Sequence, residues 1–145
     1  MKQADEHQII SLIPNARTYY GRAMIAYEKK DLKKAEQHFK TGLSLAENKD
    51  ERIFGKVQLA LIYQHSFRFE ESIAVLNEVL EKESEKYYDV YFFQATNYIH
   101  LNDYKTAEAM LDVYRASRQN GTYSDEADEM KKMIEQQMTE NHHKD

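Results

Sequence analysis

The chain has 145 residues, a net charge of −5, 4 glycines, 1 proline and no cysteine. Its length suits one domain with a real core. The missing cysteine excludes disulfides and thiolate chemistry, and a pI near 5.7 argues against the basic stripe of a nucleic-acid binder.

Sheets consume Gly and Pro at their turns. Their scarcity, beside abundant Ala, Leu, Glu, Lys and Gln, predicts helices joined by short connections. In chain order, residues 1–13 form an N-terminal segment with a short helix over 2–12, and Pro14 opens the next helix. Asp5 and Glu6 precede the short run Ile9-Ile10-Ser11-Leu12-Ile13, which is far below the roughly 20 apolar residues of a membrane span and lacks the basic start of a signal peptide. A cytoplasmic protein with no membrane partner is expected.

Three segments then follow one plan, over 14–48, 49–84 and 85–120. Each carries an alanine (Ala23, Ala60, Ala95), a large apolar residue nine places on (Leu32, Phe69, Tyr104) and a small residue three places later (Ala35, Ser72, Ala107). The small residues let the axes of a helix pair approach closely. The second helix of each pair carries apolar residues at helical spacing: Phe39 and Leu43, then Ile73, Leu76, Val79 and Leu80, then Leu111 and Tyr114. One pair cannot bury such a face alone, so neighbours must stack. Lys29-Lys30 and Lys33-Lys34, the densest basic cluster, read as a solvated turn. Asn48 and Ser84 supply capping chemistry, and Asn120-Gly121 is the strongest stop. A last helix over 123–141 shows Ala127, Met130, Ile134 and Met138 on one face, to cap the final pair, and 142–145 form a tail.

These residues resemble the tetratricopeptide repeat: Tyr19, Ala23, Ala35 and Phe39; then Leu59-Ala60, Tyr63, Ser72 and Leu76; then Tyr91, Ala95, Tyr98, Ala107 and Leu111. Departures are Ala26 where Tyr is usual, Lys56 at the leading aromatic place, and Glu47, Ser84 and Gln119 in place of the unit-ending proline. The resemblance implies an all-α fold, a right-handed superhelical stack of antiparallel helix pairs with about seven helices. It also implies a concave groove lined by the first helix of each pair. Carried over by register, that groove holds Tyr20, Met24, Tyr27, Phe54, Val57, Leu61, Gln64, His65, Phe92, Thr96, Ile99 and His100, with Arg17, Glu28 and Asp89 also on the family's places. Relatives that grip a chaperone's C-terminal carboxylate use Lys, Arg and Asn there, because a carboxylate needs charge-assisted donors. Here Tyr20, Met24, Val57, Leu61 and Phe92 stand instead, an apolar aromatic trough.

Chemistry finds little purchase. His65 and His100 share one repeat position, but no His-x3-His or Glu-x2-His spacing places a ligand set beside them. No Gly-rich phosphate loop or nucleophile elbow occurs. We expect no catalytic residue, no metal and no cofactor. The reading is a non-enzymatic interaction module or adaptor that binds a peptide or amphipathic helix of a partner protein. Two alternatives stay open: a peptide-sensing or response-regulator-binding regulatory protein, and a structural homodimer whose groove is self-buried.

Overall fold

The computed structural model describes residues 13–83, 87–117 and 121–144. The readings for residues 1–12, for Ser84 and Asn120 and for Asp145 lie outside them. The described residues form seven helices and no strand: α1 Ala16–Glu28, α2 Leu32–Ser44, α3 Lys49–His65, α4 Phe69–Glu83, α5 Asp89–His100, α6 Tyr104–Ser117 and α7 Ser124–Lys144. They fall into two compact units, one ending at Ser66 and the other starting at Phe67. That division lies in the turn between α3 and α4.

In the first unit α1 packs on α2 and α2 on α3. Asn15 caps α1, accepting from the Thr18 N–H at 3.0 Å while Thr18 Oγ1 accepts from the Asn15 N–H at 3.2 Å, a reciprocal capping box. Asn48 caps α3, its side chain accepting from the Glu51 N–H at 2.8 Å. The small residues act as expected: Ala23 and Ala35 are fully buried at the α1–α2 seam, with Phe39 equally buried. Each large buried side chain of this kind contributes about 1.5–3 kcal/mol.

In the second unit α5 packs on α4, α6 on α5 and α7 on α6. Ala95, Ala107, Leu111, Tyr114, Ala127 and Ile134 form its core with Phe92. Lys131 Nζ–Asp112 (2.9 Å) and Arg115 Nε–Asp128 (2.8 Å) flank the α6–α7 seam, so α7 caps α6 through its Ala127–Ile134 face. These exposed pairs set register more than they stabilise.

The turns inside the pairs share a feature that carries no glycine. Lys30, Phe67 and Asn102 all take positive φ, at 64°, 61° and 62°, and their spacing repeats the step of the alanines. After α1 the Asp31 N–H donates to Ala26 O and the Lys30 N–H to Tyr27 O; after α5 the Asp103 N–H donates to Tyr98 O and the Asn102 N–H to Ile99 O. Both are the paired bonds of a Schellman ending. Asp31 and Asp103 then cap the following helices, accepting from the Lys34 and Thr106 N–H groups at 3.2 Å.

Glycine matters elsewhere. A Cβ on Gly42 would lie 2.5 Å from Tyr20 Cε1, and one on Gly55 would overlap the Tyr20 hydroxyl and reach 2.7 Å from Leu43 Cδ2. Gly21 has nothing within 4 Å. Gly21→Ala should therefore stabilise the chain by about 0.5–1 kcal/mol through helix propensity. Gly42→Ala and Gly55→Ala should each destabilise it by about 1–3 kcal/mol through overpacking. Urea unfolding of the three variants checks both signs.

Candidate functional site

The first helices of the pairs carry the residues that the family register assigned to a groove, and the structure treats the two units differently. In the first unit, Tyr20, Met24 and Tyr27 share one face of α1, and Phe54, Val57, Leu61, Gln64 and His65 share one face of α3, as their three- and four-residue steps require. Tyr20 lies deepest, 5 % exposed. Its hydroxyl donates to Glu51 O in the first turn of α3 at 2.8 Å. Its ring lies 5.9 Å from Phe39 and 5.3 Å from Phe54, so it touches α2 and α3 together.

Above that floor the face opens. Met24, Tyr27, Val57, Leu61 and Gln64 are half-buried and His65 is exposed. Phe54 leaves 40 % of its surface in solvent although Tyr20 lies directly against it. At the far end the Tyr27 hydroxyl hydrogen-bonds His65 Nδ1, with ring centroids 5.5 Å apart. The first unit thus presents an apolar strip with a polar Tyr27–His65 end. Burial pushes the Tyr27 hydroxyl above its ordinary pKa, which keeps this end uncharged on the tyrosine side well above neutral pH.

In the second unit Phe92 is 7 % exposed and belongs to the core. Tyr123, in the turn before α7, stacks on it at 4.5 Å with planes 8° apart, and meets Phe93 edge-on at 5.3 Å. The Tyr123 N–H donates to the buried Tyr114 hydroxyl at 2.9 Å, which fixes the turn over Phe92. Thr96 and Ile99 are half-buried, and the Thr96 hydroxyl donates to Phe92 O. His100 is exposed and its ring stacks on Phe69 at 4.5 Å. His65 and His100, which share a repeat position, thus each lie on an aromatic ring. Among the described residues no cluster of three or more His, Asp or Glu comes together as a metal-binding group.

One buried feature escaped the sequence reading. Gln94 and Asn97 are fully buried on α5. Gln94 Nε2 donates to Asn77 Oδ1 at 2.8 Å and Ile73 O at 3.2 Å; Asn97 Nδ2 donates to Ser72 Oγ at 2.9 Å and Gln94 Oε1 at 3.2 Å. The network bridges α4 and α5 and fixes their register, since every buried amide must find its partners. The signal was present. Leu59 and Ile62 hold the same repeat positions in α3 and are buried, so Gln94 and Asn97 were polar residues at core places.

Residues 16–49 match the family model of the tetratricopeptide repeat. The chain is 22% identical over 138 residues to the TPR repeat-containing protein YvcD of Bacillus subtilis (strain 168), covering 92% of this chain and 28% of that protein. It therefore spans less than a third of the length of this relative. Among solved structures it is similar to the TPR2B domain of yeast Sti1 in complex with pHsp70, with a TM-score of 0.74 and 24% identity over 84% of this chain and 97% of that one. It is similar also to the Yersinia enterocolitica type III secretion chaperone SycD in complex with a peptide of the translocator YopD, with a TM-score of 0.73 and 14% identity over 84% and 93%. Those likenesses show the fold: an all-α solenoid of the tetratricopeptide type.

Tyr20 offers a direct handle on this site. Burial first and the Glu51 charge second push its hydroxyl from 10.0 up to about 12. A pKa raised on folding gives a stabilisation that is complete below the unfolded value near 10 and drains as pH climbs through the folded value near 12. Tyr20→Phe should cost about 1 kcal/mol at neutral pH through the lost hydrogen bond. It should also flatten part of the alkaline loss of stability. Urea unfolding of both proteins, from neutral pH to about pH 11, tests the two effects together.

Proposed function

We propose that this tetratricopeptide-repeat protein is a non-enzymatic interaction module that holds an apolar peptide or amphipathic helix of a partner protein on the α1–α3 face of its first unit. The observation that carries the reading is Phe54. A phenylalanine 40 % exposed beside half-buried Met24, Val57 and Leu61 is a contiguous apolar strip left open to water, and such strips on a folded surface mark docking sites. The strip spans positions three and four residues apart on two neighbouring helices, which suits a helix or extended segment that inserts side chains between them.

Similar folds support a peptide ligand. The Sti1 domain is seen with pHsp70 and the SycD chaperone with a YopD peptide. The chemistry of this chain points away from carboxylate capture, because Tyr20, Met24, Val57 and Leu61 stand at places where such donors would lie, and the nearby Arg17 faces the Glu51 carboxylate at 4.0 Å. Apolar insertion is the mode that Phe54, Val57 and Leu61 fit, with Gln64, Tyr27 and His65 supplying hydrogen bonds at the edge. The second unit, taken by itself, shows no comparable strip: Phe92 is held under Tyr123, Ile99 is half-buried and His100 exposed. We place the protein in the cytoplasm, a compartment suited to a cysteine-free chain. No helix among the described residues is long and apolar enough to cross a membrane.

The test uses positions that the fold can spare. Phe54→Asp with Leu61→Asp should abolish capture of a partner from native lysate, a loss of about 2 kcal/mol or more at each hot spot, while the far-UV circular dichroism stays helical. Capture that survives in the folded double variant overturns the assignment. Retention of a second copy of the chain alone would favour the homodimer.

A further inference from the structure

The opposite side of α1 carries a second surface of different chemistry. At about 100° per residue, Arg22, Ile25 and Lys29 lie roughly opposite Tyr20, Met24 and Tyr27. Together with Lys34 and His38 of α2 they line an open cleft of about 390 Å³. Two of the lining side chains meet on Tyr19: the Arg22 guanidinium lies 5.1 Å from its ring centroid, and the His38 ring lies 6.0 Å from it. Arg22, Lys29 and Lys34 are exposed, and among the described residues none is paired with a carboxylate. The acid that does border the cleft, Asp31, has its carboxylate turned to the Lys34 N–H as the cap of α2. Three cations thus converge on one cleft of a chain whose net charge is −5. Ile25 adds an apolar ledge, 55 % exposed.

We propose that this α1–α2 cleft docks an acidic segment of a partner polypeptide, with carboxylates on Arg22, Lys29 and Lys34 and one apolar side chain on Ile25. Charge complementarity selects the acidic ligand, because a local cationic patch on an acidic protein steers anions to one place and repels them elsewhere. Ile25 selects a peptide over a bare anion, since a phosphate would use the cations and leave the ledge in water. The cleft volume falls in the range that holds a few side chains. The site is separate from the Phe54 strip, so each assignment stands or falls by itself.

The probe is a fluorescein-labelled peptide, Asp-Glu-Asp-Leu-Glu-Asp, with its amide counterpart Asn-Gln-Asn-Leu-Gln-Asn as control. We expect saturable binding of the acidic peptide only, weakened by added salt, with amide chemical shifts moving at Arg22, Ile25, Lys29 and Lys34 and not at Met24 or Leu61. Arg22→Gln, Lys29→Gln and Lys34→Gln combined should lower affinity more than tenfold, and Ile25→Ser alone severalfold. These side chains are exposed, so circular dichroism should stay unchanged. Any one of four results overturns the proposal: no saturable binding, equal binding by the triple variant, equal binding of the amide peptide, or shifts confined to other residues. Full displacement by inorganic phosphate with no effect of Ile25→Ser would make the cleft an anion site and overturn the peptide assignment.

Discussion

The first unit depends on one side chain reaching across two helices. Tyr20 leaves α1, lies over Gly42 of α2 and Gly55 of α3, and ends in a hydrogen bond to Glu51 O. Both glycines are there because a methyl group would occupy the space of the phenol. The bond at Glu51 falls in the first turn of α3, where Glu51 also donates its N–H to Asn48 and accepts the Glu47 N–H on its carboxylate at 3.0 Å. The cap of α3 and the core of the unit are thus one connected structure. The ring is buried because it lies against both α2 and α3, so a change at Tyr20 reaches all three helices.

That arrangement creates the open strip. Because Tyr20 fills the depth between α1 and α3, Phe54 is lifted onto its ring and remains partly in water, with Val57, Leu61 and Met24 beside it. The second unit solves the equivalent problem in the opposite way. Phe92 holds the same repeat position as Val57, and there a turn residue, Tyr123, closes over it. One repeat design therefore yields an open apolar face in one unit and a covered ring in the other.

Much of the helical plan could be read from spacing. The alanines at 23, 60 and 95, the large residues at 32, 69 and 104 and the small residues at 35, 72 and 107 fixed where pairs turn and which faces meet. The left-handed turn residues did not show, because Lys30, Phe67 and Asn102 perform a task usually flagged by glycine. Phe92 was assigned to a groove by register alone. Its cover, Tyr123, comes from a turn far along the chain, and no periodicity links the two. Gly42 and Gly55 are unremarkable inside helices until the ring that needs them is located. Lys29-Lys30 and Lys33-Lys34 read as a solvated turn because acidic neighbours accompany them in sequence. In space, Arg22 and Lys34 come from different helices onto one side.

Contact between the Phe54 strip and another polypeptide can be read by site-specific photocrosslinking. A benzophenone amino acid at position 54 is compared with one at Val113, which has the same 40 % exposure on α6. A docked partner gives an adduct to a different polypeptide from position 54 and none from position 113. Equal adducts from both positions, no adduct from position 54, or an adduct only to a second copy of the chain would contradict it.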